Sequence, residues 1–422
     1  MKIFSLHSGA KWMATKAAPV VLQDGEREER DPAKDEIKRV LSDCFRCNNL
    51  IVLAGLGASL HVNAEWGANG RVPLDGKRIA PTMPELWRRK TETKSGANFG
   101  QVIDLTKFPK DDPTFKDNIE ALLSYCKIGV EFNEGDDKTL IATFIEDTEK
   151  IIRDEIDFLT ADDGVEVHSE LLRKIARRSN RKIRTKIFTT NYDLCFEYAA
   201  RYGRYVAIDG FSHSSPQVFD SIYFSYDIVK RESNPDSHDF ISNVFHLYKL
   251  HGSIDWEKNN TTNEIQRVAG TKNPVLVYPR NTKYELAFEQ PYIEMMSAFQ
   301  TAIRQPETAL LVVGFGFNDN HLAEPILSAI RSNLNLKVVI CDPSLAPEPD
   351  TDPAKNWVGS AEKNLHLKKL AYLISKGDAR LSLINGTFQE LVPELPDIAA
   401  LTDLEQHMDR IRQLRGQKDG QP

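Results

Sequence analysis

Histidine, asparagine, aspartate and closely spaced glycines recur where apolar runs end. Five stretches show this: LAGLGAS (53–59), FTTNYD (188–193), KLHGS (249–253), VVGFGFND (312–319) and VVICDP (338–343). Together they could hold a phosphate-bearing ligand and act on it. Gly55 and Gly57 permit a tight turn with close backbone approach, and N–H groups at the start of a following helix can hold a pyrophosphate, with Ser59 adding a hydroxyl. Thr189, Thr190, Asn191 and Asp193 place polar side chains in a row at a strand end. His251 has the side chain best suited to proton exchange near neutral pH, and Gly252 beside it would let a ligand come near. Gly314 and Gly316 form a second glycine turn leading to Asn318 and Asp319, and Asp342 is placed to accept hydrogen bonds from a ribose. Each stretch also has a plain reading as turn or capping chemistry. Five on one sheet edge are harder to explain that way.

Two common nucleotide fingerprints are excluded. Leu60 stands where a dinucleotide loop would carry its third glycine, and GRVPLDGKR has five residues, not four, between Gly70 and Gly76.

The elements that must position these residues read as a doubly wound α/β fold. NLIVLAG, KIFTTN, HLYKLHG, PVLVYP, TALLVVGFG, KVVICDP and RLSLING are apolar at successive positions, as strands buried on both faces of a mostly parallel Rossmann-like sheet would be. Polar residues at their carboxyl ends then share the edge where such sheets bind ligands. The first two strands are separated by roughly 130 residues, far more than one crossover helix needs. NIEALLSY (118–125) and FIEDTEKIIRDEIDFL (144–159) carry helical apolar spacing there, which predicts an inserted helical subdomain at about residues 66–182. Asp31 and Pro32 open an earlier helix whose buried face is Ile37, Val40, Leu41, Cys44 and Phe45. Residues 1–30 read as a mobile or oligomer-contacting arm, 31–395 as the nucleotide-binding domain and 396–422 as a charged tail.

A net charge of −7 argues against a chain that coats nucleic acid over its whole surface. No apolar stretch approaches the roughly 20 residues of a membrane span, and the amino end lacks a leader's apolar core, so a cytoplasmic protein is expected. The five cysteines are an odd number without a second close pair, so no zinc is expected. One basic cluster, RKIARRSNRKIRTK (173–186), holds eight cations. It reads as a solvated helix end or, more sharply, as a nucleic-acid site.

In order along the chain, these motifs resemble the sirtuin-like family, and within it the bacterial domains that hydrolyse NAD in antiphage defence. GLGAS resembles the Gly-Ala-Gly-Xaa-Ser loop, TTNYD the Thr-Gln-Asn-Xaa-Asp segment, KLHGS the histidine-glycine segment and GFGFND the later glycine turn. DNIEALLSY and KIIRDEIDF resemble the helical insert of the defence branch, so the similarity spans roughly residues 35–395. The four-cysteine zinc ribbon and the Gly-Ile-Pro-Asp-Phe-Arg loop of protein-deacylating members are absent, which points away from peptide deacylation. The resemblance implies NAD as substrate, cleaved to nicotinamide and ADP-ribose. It makes Asn191 and His251 catalytic, gives the phosphates to Gly55, Gly57, Ala58 and Ser59, and gives the rest of the dinucleotide to Thr190, Asp193, Gly314, Gly316, Asn318 and Asp342. It further implies a homo-oligomer working with a HerA-type ATPase. The rival readings are a nucleic-acid-binding or nuclease subunit, a non-catalytic NAD or ADP-ribose sensor, and an ADP-ribosyl transferase.

Overall fold

The computed structural model describes residues 1–16, 31–67, 70–92, 98–112, 115–178, 182–231, 238–276, 290–345 and 364–397. The chain opens with β1 (Lys2–Ser5), β2 (Trp12–Ala14), α1 (Pro32–Arg46) and β3 (Asn49–Ala54). An antiparallel pair, β4 (Ala64–Gly67) and β5 (Gly70–Pro73), precedes α2 (Met83–Glu92), α3 (Phe99–Thr106), α4 (Ile119–Phe132) and α5 (Gly135–Ile156). Next come α6 (Glu166–Ala176), β6 (Lys186–Thr189), α7 (Cys195–Gly203) and β7 (Val206–Ile208). Six strands follow: β8 (Val229–Arg231), β9 (His238–Phe240), β10 (Val244–Lys249), β11 (Gly252–Lys258), β12 (Ile265–Arg267) and β13 (Pro274–Leu276). The remainder alternates α8 (Tyr292–Ala302), β14 (Thr308–Val313), α9 (Asn320–Ser332), β15 (Lys337–Cys341), α10 (Leu365–Ser375), β16 (Leu381–Asn385) and α11 (Phe388–Glu394).

Nine strands form the central sheet in the order β2-β1-β16-β15-β14-β3-β6-β10-β7. From β16 to β7 every neighbouring pair is parallel, and β1 and β2 add an antiparallel edge. Strand side chains alternate between faces, and the core divides accordingly. Ile51 and Leu53 of β3 join the cluster under α8, α9 and α10, whereas Leu50, Val52 and Ala54 join the cluster under α1, α6, α7 and α11. This is the doubly wound, mostly parallel sheet the apolar runs predict. After β3 the chain builds β6, β7 and β10 on one side, then returns to place β14 on the other. Strand order therefore reverses between β3 and β14, the place where open α/β sheets bind ligands.

Helix α1 forms as its sequence predicts. Asp31 accepts from the N–H groups of Ala33 and Lys34, and Ile37, Val40, Leu41, Cys44 and Phe45 are all buried.

Three expectations change. Residues 1–16 are not a mobile arm: β1 pairs with β16 and buries Ile3 and Phe4, while residues 17–30 lie outside the described residues. Likewise only Pro396 and Asp397 of the tail are described. PVLVYP is not a strand of the parallel sheet. Its described part is β13, which pairs antiparallel with β11 in a separate small sheet and is covered only in part. Finally, the helical insert has its own apolar cluster formed by residues of α2 to α5, whereas α6 packs in the sheet's cluster as the crossover into β6. The β4–β5 pair, which straddles the expected start of the insert, is also new.

The switch point is held by glycines. The turn after β3 and the turn after β14 touch backbone to backbone: Gly55 N–H donates to Val313 O at 2.9 Å and Gly57 N–H to Gly314 O at 3.0 Å. A Cβ on Gly55 would lie 2.5 Å from Gly314 O, and one on Gly57 would lie 2.6 Å from Gly314 Cα. Gly314 also has a φ of +60°, which side-chain-bearing residues rarely adopt. Gly57→Ala is expected to lower the denaturant midpoint by the equivalent of about 1–3 kcal/mol. Gly100→Ala, at an open helical position, should leave stability unchanged or raise it by up to about 1 kcal/mol. Equal effects of the two substitutions would contradict the packing account.

Candidate active site

A cavity of about 740 Å³ opens at the switch point, between the carboxyl edge of the sheet and the helical insert. Thr190, Asn191 and Asp193 line it from the end of β6, His251 from the end of β10, and Gly314, Gly316, Asn318 and Asp319 from the turn after β14. The insert supplies the opposite wall, with Met83, Leu86, Asn118, Glu120 and Tyr125. Tyr192 and Ile254, beside the strand ends, share the insert's apolar cluster, so the wall is packed against the sheet edge.

Asn191 sits at the centre. Its buried amide nitrogen donates to Gly55 O at 3.0 Å and to Ser59 Oγ at 2.8 Å, and its backbone N–H donates to Thr189 Oγ1 at 3.1 Å. The glycine turn and the TTNYD segment are thus one hydrogen-bonded unit. No α-helix follows the turn. A single 3-10 turn (Leu56–Ala58) does, and the N–H groups of Gly55, Gly57, Ala58 and Ser59 are already donated within the chain. The N–H groups expected to cradle phosphates are therefore spent on the switch point (Gly55, Gly57) and within the turn itself (Ala58, Ser59), and Leu56 is the residue of this turn that lines the cavity. Gly252 is likewise explained by protein rather than ligand: its φ is +90°, and a Cβ there would collide with Val275 O.

His251 lies in the short turn between β10 and β11. Its Nε2 is 3.1 Å from Asp319 Oδ2, with the two side chains only 13% and 11% exposed. Asp319 caps α9 through its other oxygen, which accepts from His321 N–H at 2.9 Å. Burial pushes the Asp319 carboxyl up, but His251, His321 and the backbone N–H outweigh it and hold the pKa below the usual carboxylate range. Across the cavity Glu120 behaves in the opposite way. Burial raises its pKa, and the Asp319 charge adds to this, against the opposing pull of His251 and a hydrogen bond from Tyr192 OH at 3.0 Å. The Tyr192 ring is tilted against the His251 imidazole with centroids 6.4 Å apart.

The remaining expected residues divide. Thr190 lines the cavity, its N–H donating to Ala54 O at 3.0 Å. Asp193 lines it too but accepts from Cys195 N–H at 3.0 Å, the capping role its residue type suggests. Asp342 stands apart from the cavity at the end of β15, accepting from Ser344 N–H at 2.8 Å. The sequence marks Asp319 only as the end of the second glycine turn, with no role assigned, and does not single out Glu120 or Tyr192. Asn364 was also missed: its amide donates to Gly316 O and Phe317 O at 3.0 and 2.9 Å and so fixes the second glycine turn.

Among the described residues of the 173–186 cluster, six cations have partners inside the chain. Arg178 and Lys182 donate to carbonyls at the end of α1, and Lys174 donates to those at the end of α11. Arg173 and Arg177 pair with Asp397, and Arg184 with Asp227. Cations at helix carboxyl ends are favourable in themselves. Among the described residues no group of three or more His, Cys, Asp or Glu could hold a metal, and no helix is long and apolar enough to cross a membrane.

Behind the glycine turn two histidines stack. His61 and His168 have ring centroids 5.5 Å apart, and His168 is fully buried against Phe196 and Phe388. Neither ring nitrogen of His168 has a hydrogen-bond partner among the described residues. Burial pushes His61 down to about 4, against the charge of Glu166, and burial together with His61 pushes His168 well below its usual value. Both folded pKa values lie below the unfolded one, so the unfolded chain binds more protons in acid. The stability they confer is complete above about pH 6.5 and is lost as pH falls toward about 4. Thermal melting between about pH 7 and about pH 4.5 should show this loss, and His168→Phe should make it visibly shallower. An unchanged slope would contradict the assignment.

The family model of the SIR2-like domain matches residues 185–363. That stretch begins just before β6 and contains Asn191, His251, Asp319 and the second glycine turn. The match supports a sirtuin-like family and implies an NAD-related function with NAD binding. The curated proteins give no match.

Proposed function

We propose that the chain is an NAD glycohydrolase, cleaving NAD to nicotinamide and ADP-ribose. The observation that carries this reading is the meeting of Asn191, His251 and the second glycine turn in one cavity, all within the region that matches the SIR2-like family. NAD already carries a cationic pyridinium leaving group, so breaking its bond to ribose needs no general acid, and the transition state resembles an oxocarbenium ion. The protein must hold the dinucleotide, place a water and stabilise developing positive charge. Asn191, whose amide is already anchored to Gly55 and Ser59, would orient the nicotinamide ribose and the water through its amide oxygen. His251, held by Asp319, would meet a ribose hydroxyl. The pyrophosphate would lie against the second glycine turn at Gly316, since the Gly314 N–H is already donated to Cys341 O, with Asn318 toward the adenosine half.

Unrestrained hydrolysis of NAD would kill its host, so the activity is gated. We place it in antiphage defence in the cytoplasm, in a homo-oligomer that works with a HerA-type ATPase, as the resemblance implies. A monomer, both alone and with such an ATPase, would contradict this part. A nucleic-acid role has less support, because the basic cluster's described cations are largely used within the chain.

A time course of nicotinamide and ADP-ribose tests the activity. Asn191→Ala and His251→Ala should each lower release by about a hundredfold or more while the fold is retained. Undiminished turnover in both variants would remove the assignment. Binding without cleavage by the wild type would favour a sensor.

A further inference from the structure

Resting on the NAD-cleaving reading, we infer that Glu120, supplied by the inserted helices, is the base that takes the proton from the attacking water, leaving His251 to bind the ribose.

Three observations converge. First, His251 Nε2 stands 3.1 Å from Asp319 Oδ2, beside a carboxylate whose other oxygen accepts at the amino end of α9, so this imidazole nitrogen is paired with a carboxylate already held in place. Second, Glu120 lies in the first turn of α4, lines the same cavity as Asn191 and His251, and is aimed by the 3.0 Å hydrogen bond from Tyr192 OH. Tyr192 directly follows Asn191, so the residue that orients the water and the carboxylate that would receive its proton are linked through one dipeptide. Third, the two carboxyl groups around His251 are driven in opposite directions, Asp319 toward a permanent charge and Glu120 toward titration nearer neutrality. Paired titratable groups with opposed environments mark a division of acid–base roles.

The step balances. A water oxygen adds to ribose C1′ as the bond from C1′ to the pyridinium nitrogen breaks, and that bond's electron pair stays on nicotinamide, cancelling its charge. The water's proton passes to Glu120 and then to solvent. The base therefore comes from outside the 185–363 stretch, so the insert is part of the catalytic machinery rather than only a cover.

Glu120→Gln tests this, because the amide oxygen can still accept from Tyr192 but the group cannot take a proton. The kcat for nicotinamide release should fall by about a hundredfold or more, with KM for NAD changed by less than about threefold. The rise of kcat with pH on the acid side should vanish. Azide, an anionic nucleophile that needs no base, should restore nicotinamide release in Glu120→Gln but not in Asn191→Ala. Wild-type kcat and pH profile in Glu120→Gln would overturn the inference while leaving the NAD-cleaving reading intact. So would equal losses in Glu120→Gln and Tyr192→Phe with no azide rescue, since Glu120 would then only hold Tyr192. If the wild-type protein releases no nicotinamide, the NAD-cleaving reading fails and this inference fails with it.

Discussion

Two backbone turns approach each other at the switch point more closely than any side chain would allow, and the site depends on that approach. Gly55, Gly57 and Gly314 make it, with hydrogen bonds from Gly55 to Val313 and from Gly57 to Gly314. Because β3 and β14 are adjacent parallel strands, their carboxyl ends must diverge into separate turns, and the absence of Cβ atoms lets those turns meet again above the sheet. Asn191 then bonds to the first turn, and Asn364 bonds to the second. The cavity forms against this assembly, with rigid backbone on one wall and helices on the other.

A constraint of this kind explains why the charged groups can be placed so tightly. A buried carboxylate is tolerable only when it is paired or hydrogen-bonded, and Asp319 is both, through His251 and the amino end of α9. Glu120 has one neutral donor and a nearby negative charge, so its proton is easier to keep. The difference arises from position alone: one carboxyl group sits on the sheet side at a helix start, and the other enters from the insert.

Much of the fold was legible because buried parallel strands leave uninterrupted apolar runs, and all but one of the seven runs expected as strands lie in the central sheet. The exception, PVLVYP, shows what such a run does not encode, namely its pairing partner; β13 lies antiparallel to β11. β7 was missed because three residues carry no periodicity, and β1 because its short apolar run lies amid polar residues. In the site, Asn191 and His251 were legible as polar residues at strand ends. The roles of the glycines were only half legible: the need for a missing Cβ could be read, but what occupies the space could not. Backbone fills it at Gly57 and Gly252. Glu120 was invisible for another reason. A glutamate in a helix's first turn looks like ordinary dipole chemistry, and only the packing of the insert turns it toward the cavity.

The most direct test is the structure of the protein with a hydrolysis-resistant NAD analogue. The account predicts the dinucleotide in the cavity between sheet edge and insert, with its pyrophosphate along the second glycine turn. A water on Asn191 should stand about 3–3.5 Å from ribose C1′. An analogue bound elsewhere, or one whose nicotinamide ribose lies away from Asn191 and His251, would contradict it.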